Sequence, residues 1–321
     1  MKRIYRFLVS LLNGVVMNNL LKKIINDTKI YANQGNVASY IPELSKMNKN
    51  ISGIVTIDMN NNIYSAGDTN IKFTIQSMSN IITLILALMD HGEKVFEKVG
   101  KEPSGDPFNS LKRLTNINTH KPFNPMINAG SITITSMIKA DNKKERIQRI
   151  IDLIKDLTGN EDIKINMDVY NSELKTGDKN RSIAYFLKDK NIIEGEVCDV
   201  LDTYFKQCSI EVDCFDLANI GATLANDGIS TITNKRIVPS KYATIVKAFM
   251  FTCGMYDDSG EFAVEVGIPA KSGVSGGIFC AVPNKMGIGV LGPSLDEKGN
   301  SIVGIEMLKL LTKEKNLCIF N

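Results

Sequence analysis

The chain has 321 residues, 43% hydrophobic and 23% charged, which suits one large folded core and excludes a disordered or fibrous protein. Its 38 basic and 35 acidic residues leave a net charge of +3 and form no run able to track a phosphate backbone, which argues against nucleic-acid binding. The six cysteines match neither a zinc knuckle nor a CxxC pair and read as reduced thiols of a cytoplasmic protein, and neither His91 nor His120 has a partner motif for a metal site or a Ser-His-Asp triad.

At the N-terminus, MKRIYRFLVSLLNGVV starts basic and then apolar. Ser10 and Asn13 break the run, no small-x-small cleavage site follows, and the stretch is far too short to span a membrane. Residues 1–16 are therefore expected to be an extension ahead of a single domain at 17–321. From Asn18, NNLLKKIINDTKIYANQ spaces its apolar residues at helical intervals and predicts a surface helix. Next, ISGIVTIDMNNNIYSAGD predicts a β-hairpin turning at Asn60 to Asn62.

From Ser77 to Asp90 nearly every residue is apolar, which predicts a helix buried all round, with Ser77 at its N-terminus, His91 after its end and Gly92 as its stop. The stretch from Phe96 to Ala248 reads as mostly helical, for example KKERIQRIIDLIKDLTG with its stop at Gly159. After Gly260, KSGVSGGIFCAVPNKMGIGVLGP predicts short strands punctuated by glycine, and Gly299-Asn300-Ser301 opens a last helix, IVGIEMLKLLTKEK. Strands from both ends of the chain with helices between them predict an α/β (α+β) fold. Its antiparallel sheet would be flanked by terminal helices, with a helical lobe inserted at roughly 77–255 and a cleft between the lobes.

Two motifs carry chemistry. A serine opening a buried helix, Ser77, is followed far along the chain by Lys271-Ser272-Gly273, and S-x-x-K with K-[ST]-G marks the site of penicillin-binding proteins and β-lactamases. A helix N-terminus offers free N–H groups and partial positive charge to a nucleophile, and a residue three positions on shares its face, where a lysine can take its proton. Taken alone, a serine before an apolar run is far more often a simple cap.

The wider text lifts both motifs. The blocks GNVASYIPELSK, FTIQSMS, KPFNPMINAGSI, YNSELKTGDKNRSIAYFLK, TYFKQCSIEVDCFDLANIGATLANDGI, FTCGMYDDSGEFAVEVGIPAKSGVSGGI and GPSLDEKGNSIVGI occur in order. Over nearly its whole length from about Met17 the chain resembles the serine-dependent glutaminases. The resemblance implies a β-lactamase-like fold, hydrolysis of L-glutamine to L-glutamate and ammonia, a homotetramer, no membrane, and no metal or organic cofactor. It puts Ser77 on the nucleophile that forms a γ-glutamyl ester, and Asn128, Glu173, Asn180, Tyr204, Tyr256 and Val274 on substrate-binding positions. Tyr40 matches a further tyrosine near the pocket.

These residue types suit the implied substrate. Glu173 can pair with an α-ammonium, while the amides of Asn128 and Asn180 and the Tyr204 hydroxyl can bind a carboxylate or an amide. The backbone N–H groups of Ser77 and Val274 can hold an oxyanion, and Tyr256 can pass a proton between Ser77 and the leaving ammonia. Without the ordered blocks, Asn128 would read as a turn residue, Glu173 and Asn180 as solvated polar groups and the tyrosines as the edge of the core.

One position departs from the family. Three residues after the nucleophile it has lysine, and this chain has Asn80, whose amide is no useful base near neutral pH. Three readings stay open: a glutamine-binding pseudoenzyme or sensor, an enzyme using Tyr256 or Lys271 as substitute base, or an introduced residue one nucleotide from lysine. A penicillin-interacting hydrolase is a more distant alternative, because it requires export.

Overall fold

The computed structural model describes residues 2–110, 114 and 120–321. Helix α1 (Lys2–Thr28) leads to a hairpin, β1 (Gly53–Asp58) and β2 (Ile63–Gly67), and to the short strand β3 (Phe73–Thr74). Helices α2 (Ser79–His91), α3 (Val95–Lys98), α4 (Asn128–Met137), α5 (Lys143–Thr158), α6 (Met167–Thr176), α7 (Asp178–Asp189) and α8 (Val197–Cys208) follow. Beyond β4 (Glu211–Val212) come α9 (Cys214–Ala225), α10 (Ser240–Cys253), α11 (Ser259–Glu265), β5 (Ala270–Ser272), β6 (Gly277–Val282), β7 (Met286–Leu291) and α12 (Ile302–Lys315).

Local chemistry sets many of these limits. The hairpin turns where expected because the Asp58 carboxylate accepts from the backbone N–H of Asn60 and of Asn62, both at 2.9 Å, while Asn61 takes the left-handed conformation that asparagine tolerates. Helix α5 starts where the Asn142 side chain accepts from two orphan N–H groups and stops at Gly159, φ +70°. Helix α9 opens on a reciprocal capping box between Asp213 and Asp216.

The main sheet is antiparallel, in the order β2-β1-β7-β6-β5, so strands from the two ends of the chain pair at its centre, with Ile54 opposite Val290. Along β1, Val55 and Ile57 face a core shared with α2, α5, α9 and α10, while Ile54 faces a second core shared with α1 and α12. Helix α9 lies directly on the sheet. A Cβ at Gly287 would stand 2.0 Å from the Ala222 nitrogen and one at Gly221 2.2 Å from the Cys280 carbonyl, so this close approach requires glycine at both positions. Strands β3 and β4 form a separate small pair, Phe73 opposite Val212, in front of the main sheet.

Two expectations need correction. The first helix does not begin at Asn18 but runs unbroken from Lys2, and it is only partly a surface helix: Met17, Leu21 and Ile24 are buried against the outer face of the sheet. Nor does Ser77 lie in the buried helix. It occupies a one-turn 3-10 segment, Gln76–Met78, immediately ahead of α2, in which Gln76 has φ +48°. Helix α2 is buried on every side from Ser79 to Leu88, between α4, α5 and α10, and only its last turn emerges, with Met89 44% exposed. Among the described residues no helix is long and apolar enough to cross a membrane.

Candidate active site

The turn that carries Ser77 is fixed from several sides. The backbone N–H of Ile75 donates to the Ile210 carbonyl at 2.8 Å, and the Ser79 hydroxyl closes the turn by donating to the Gln76 carbonyl at 2.7 Å. Gly273, next to β5, approaches so closely that a Cβ there would lie 2.9 Å from the Ile75 carbonyl, so the K-S-G strand abuts the serine turn. The strained Gln76 backbone, φ +48°, carries a side chain that donates to Thr74 at 3.2 Å and to Glu173 at 2.9 Å.

In front of Ser77 lies a cavity of about 260 Å³ whose wall includes Tyr40, Asn128, Glu173, Asn180 and Tyr204. These residues come from separate elements: a loop, the first turn of α4, α6, α7 and α8. Asn128 donates to the side-chain oxygen of Asn180 at 2.8 Å, which aligns two amides on one wall. Glu173 is 5% exposed, and burial pushes its carboxyl up to about 8 although the Gln76 amide pulls it down. Among the described residues no cation pairs with this carboxyl, which is suited to receive one. Tyr204 is 3% exposed, and burial first, then neighbours such as Cys208 and Glu173, raise its phenol. Tyr40 covers the mouth. It is 54% exposed as a residue and lines the cavity, where loss of water and then Tyr256 and Glu173 raise its phenol above the ordinary value.

Tyr256, Val274 and Lys271 stand one layer behind this wall. Tyr256 adopts φ +56° in a 3-10 turn pinned by Ser259, whose hydroxyl donates to the Tyr256 carbonyl at 2.9 Å. Its ring packs on Phe108 at 4.7 Å between centroids, and its hydroxyl donates to the Ser272 carbonyl at 3.3 Å, beside the turn that carries Ser77. Burial raises the Tyr256 phenol far above its usual range, with the Ser77 side chain opposing that rise. Val274 sits in the tight turn after β5, where Gly276 N–H donates to the Gly273 carbonyl at 2.9 Å, and packs in a small cluster with Tyr256 and Ile41. Lys271 is wholly buried, its Nζ 4.4 Å from the Tyr256 ring centroid, and burial pulls its amine down to about 7.

Asn80 is turned away from the cavity. Its Nδ2 donates to the Met126 carbonyl at 3.1 Å and its Oδ1 accepts from the Ser131 hydroxyl at 2.7 Å, in a pocket that leaves it 1% exposed. It fastens α2 to α4.

Sequence reading missed several lining residues, four of them with side chains that bear on chemistry or packing here. Gln76 and Cys208 touch the cavity from the quoted blocks but carry no motif role, and Phe108 and Lys179 line it from loop and helix surface. Lys179 holds Asn109 at 2.8 Å at the mouth and is a cation available to an anionic ligand. Only the folded path brings these four together. A larger depression of about 400 Å³ between α11 and α12 is lined mainly by carboxylates, such as Glu261 and Glu306, and offers no nucleophile.

The glutaminase family profile matches residues 35–320. A glutaminase of Alkaliphilus metalliredigens is 54% identical over 305 residues, which is 95% of this chain and 100% of that protein. The solved covalent complex between a Bacillus subtilis glutaminase and 5-oxo-L-norleucine is 38% identical, with TM-score 0.87, covering 94% of this chain and 99% of that one. Mglu in its glutamate form has TM-score 0.90 at 34% identity, covering 95% of this chain and 69% of that one.

Proposed function

This chain belongs to the glutaminase family and has its β-lactamase-like fold, and from that premise we propose that it hydrolyses L-glutamine to L-glutamate and ammonia through a γ-glutamyl ester on Ser77. The observation that carries this reading is the Glu173 carboxyl, buried without a cation and joined to the serine turn through Gln76 at 2.9 Å. Glutamine supplies the missing ammonium. Its α-carboxylate then meets the paired amides of Asn128 and Asn180 and the Tyr204 hydroxyl, and its γ-amide reaches Ser77.

The serine oxygen attacks the γ-carbonyl carbon, and its proton moves toward Tyr256. The N–H groups of Ser77 and Val274 hold the oxyanion until the C–N bond breaks and ammonia leaves with a proton from Tyr256. Water then repeats the sequence on the ester and frees glutamate. A relative that forms a covalent complex with 5-oxo-L-norleucine supports a nucleophile of this kind.

A second reading, a glutamine-binding protein without turnover, is favoured by one observation. The Asn80 amide is engaged by Ser131 and Met126 and cannot serve Ser77. Calorimetric glutamine titration beside an ammonia-release assay separates the two: release supports the enzyme, and saturable binding without release supports the sensor. The enzyme reading also carries a homotetramer and a cytoplasmic setting. The six cysteines, all unpaired, are in keeping with a reducing compartment, and light scattering tests the assembly.

A further inference from the structure

A lysine whose amine is wholly buried needs an explanation. A charged ammonium in such a place is costly unless paired, and the ionisable neighbours of Lys271 among the described residues are two thiols, Cys253 at the end of α10 and Cys208 at the end of α8, and the Tyr256 phenol, with no carboxylate. Its Nζ donates to the Ser272 carbonyl at 2.5 Å, and the Tyr256 hydroxyl donates to that same oxygen at 3.3 Å. The amine and the phenol thus converge on one acceptor, in the strand whose next residue, Gly273, abuts the turn that carries Ser77. Asn80, which follows the nucleophile by three residues, has both ends of its amide committed elsewhere.

We propose that Lys271, acting through Tyr256, holds the proton that Ser77 gives up, in place of the base that Asn80 does not supply. The inference rests on the glutaminase reading. As the Ser77 oxygen bonds to the γ-carbonyl carbon, its proton passes to the Tyr256 oxygen and the phenolic proton passes to the neutral Lys271 amine. Tyr256 stays uncharged throughout, which its burial favours, and the new charges are the substrate oxyanion and the Lys271 ammonium. When the C–N bond breaks, the same proton returns through Tyr256 to the leaving nitrogen and gives ammonia and a neutral amine. Lys271 touches no substrate atom and is a positioning residue.

The amine must be neutral to act, and burial holds it near 7. Other groups around the relay can be told apart from it. Tyr40, Tyr204, Tyr256, Cys208 and Cys253 are all shifted upward from already high values. Asp296, which faces Tyr256, is also raised, but from the low value of an ordinary carboxylate. Glu173 near 8 acts on substrate binding, and with glutamine bound it is paired, so kcat rather than kcat/KM reports the relay.

The test is kcat against pH in the full-length protein. In the wild type kcat rises about tenfold per pH unit below roughly 7 and levels above. Lys271→Arg, which keeps the charge but cannot release its proton, lowers kcat at least about a hundredfold and removes that limb, with glutamine affinity retained by calorimetry. In Lys271→Ala, added primary amines restore turnover in proportion to their basicity. Asn80→Lys, which leaves Lys271 in place, moves the limb away from 7 by supplying a second base. A Lys271→Arg enzyme within threefold of wild type with the same limb, rescue indifferent to amine basicity, or a limb unmoved by Asn80→Lys overturns the relay alone. Wild type that binds glutamine without releasing ammonia overturns the glutaminase reading with it.

Discussion

The Ser131 hydroxyl donates to the side-chain oxygen of Asn80 at 2.7 Å, and the Asn80 amide nitrogen donates on to the Met126 carbonyl. Asparagine at this position is a satisfied structural residue, matched in donor and acceptor by its neighbours on and before α4. If Ser77 is the nucleophile proposed above, its base has to come from elsewhere.

Asn80→Ala is expected to destabilise the protein by about 1–3 kcal/mol, because the Ser131 hydroxyl and the Met126 carbonyl lose a partner in a dry site. The shape of the kcat–pH profile is expected to stay as in the wild type. Urea unfolding and steady-state kinetics on one preparation check both; a profile that shifts would mean the amide takes part in proton transfer.

Glu173→Gln separates binding from stability. The carboxyl titrates near 8 in the folded protein against an ordinary 4.5, so the folded state holds more protons than the unfolded one between those values. Stability therefore falls as pH rises from 4.5 to 8, and removing the charge relieves that loss. The variant should melt at least about 2 °C higher than wild type at pH 8.5 and about equally at pH 4.5. Its KM for glutamine should rise strongly, since the ammonium loses its partner. In the wild type, calorimetric affinity should improve as pH rises toward 8.

Tyr256→Phe keeps the ring that packs on Phe108 and removes only the hydroxyl. The expected result is a fall in kcat of about 10²–10⁴-fold with KM little changed. A matching fall in stability, read by thermal melting, would instead assign the hydroxyl a structural role through its bond to the Ser272 carbonyl.

Ser77→Ala tests the nucleophile directly. Intact-mass measurement after treatment with 6-diazo-5-oxo-L-norleucine should show one adduct in the wild type and none in the variant. An adduct that persists in Ser77→Ala points to another nucleophile, for which the buried thiol of Cys208 on the cavity wall is the nearest candidate.

Two glycines make opposite predictions. Gly287→Ala drives a Cβ to 2.0 Å from the Ala222 nitrogen, so α9 must lift off the sheet, and a loss of about 2 kcal/mol or more is expected. Gly260, inside α11, has open space around its Cβ position, and Gly260→Ala should stabilise by about 0.5–1 kcal/mol. Chemical denaturation of the two variants gives the comparison.

Much of this was legible in one dimension wherever the signal is local. Asn142 and Gly159 bound α5 through their own side chain and backbone, Asp58 and the asparagines make their turn unaided, and the ordered blocks carry the family together with the residues facing the cavity. Local reading failed where a distant partner decides the outcome. Gln76 combines φ +48° with an amide bond to Glu173, 97 residues away, and Ser77 beside it lies in a 3-10 turn ahead of the helix that periodicity assigned to it. Helix α1 extends back to Lys2, well ahead of the Asn18 at which periodicity placed its start.

The sequence alone determined the β1–β2 hairpin, the helical middle, the glycine-punctuated strands near the C-terminus with the last helix, the pairing of Ser77 with the K-S-G strand and the absence of lysine at position 80, because each depends on residue type and spacing. Only the tertiary structure decided what that absence means. Solvation is a property of the packed molecule, and it is burial among thiols and tyrosines, invisible along the chain, that brings the Lys271 amine to about 7 and sets it beside Tyr256.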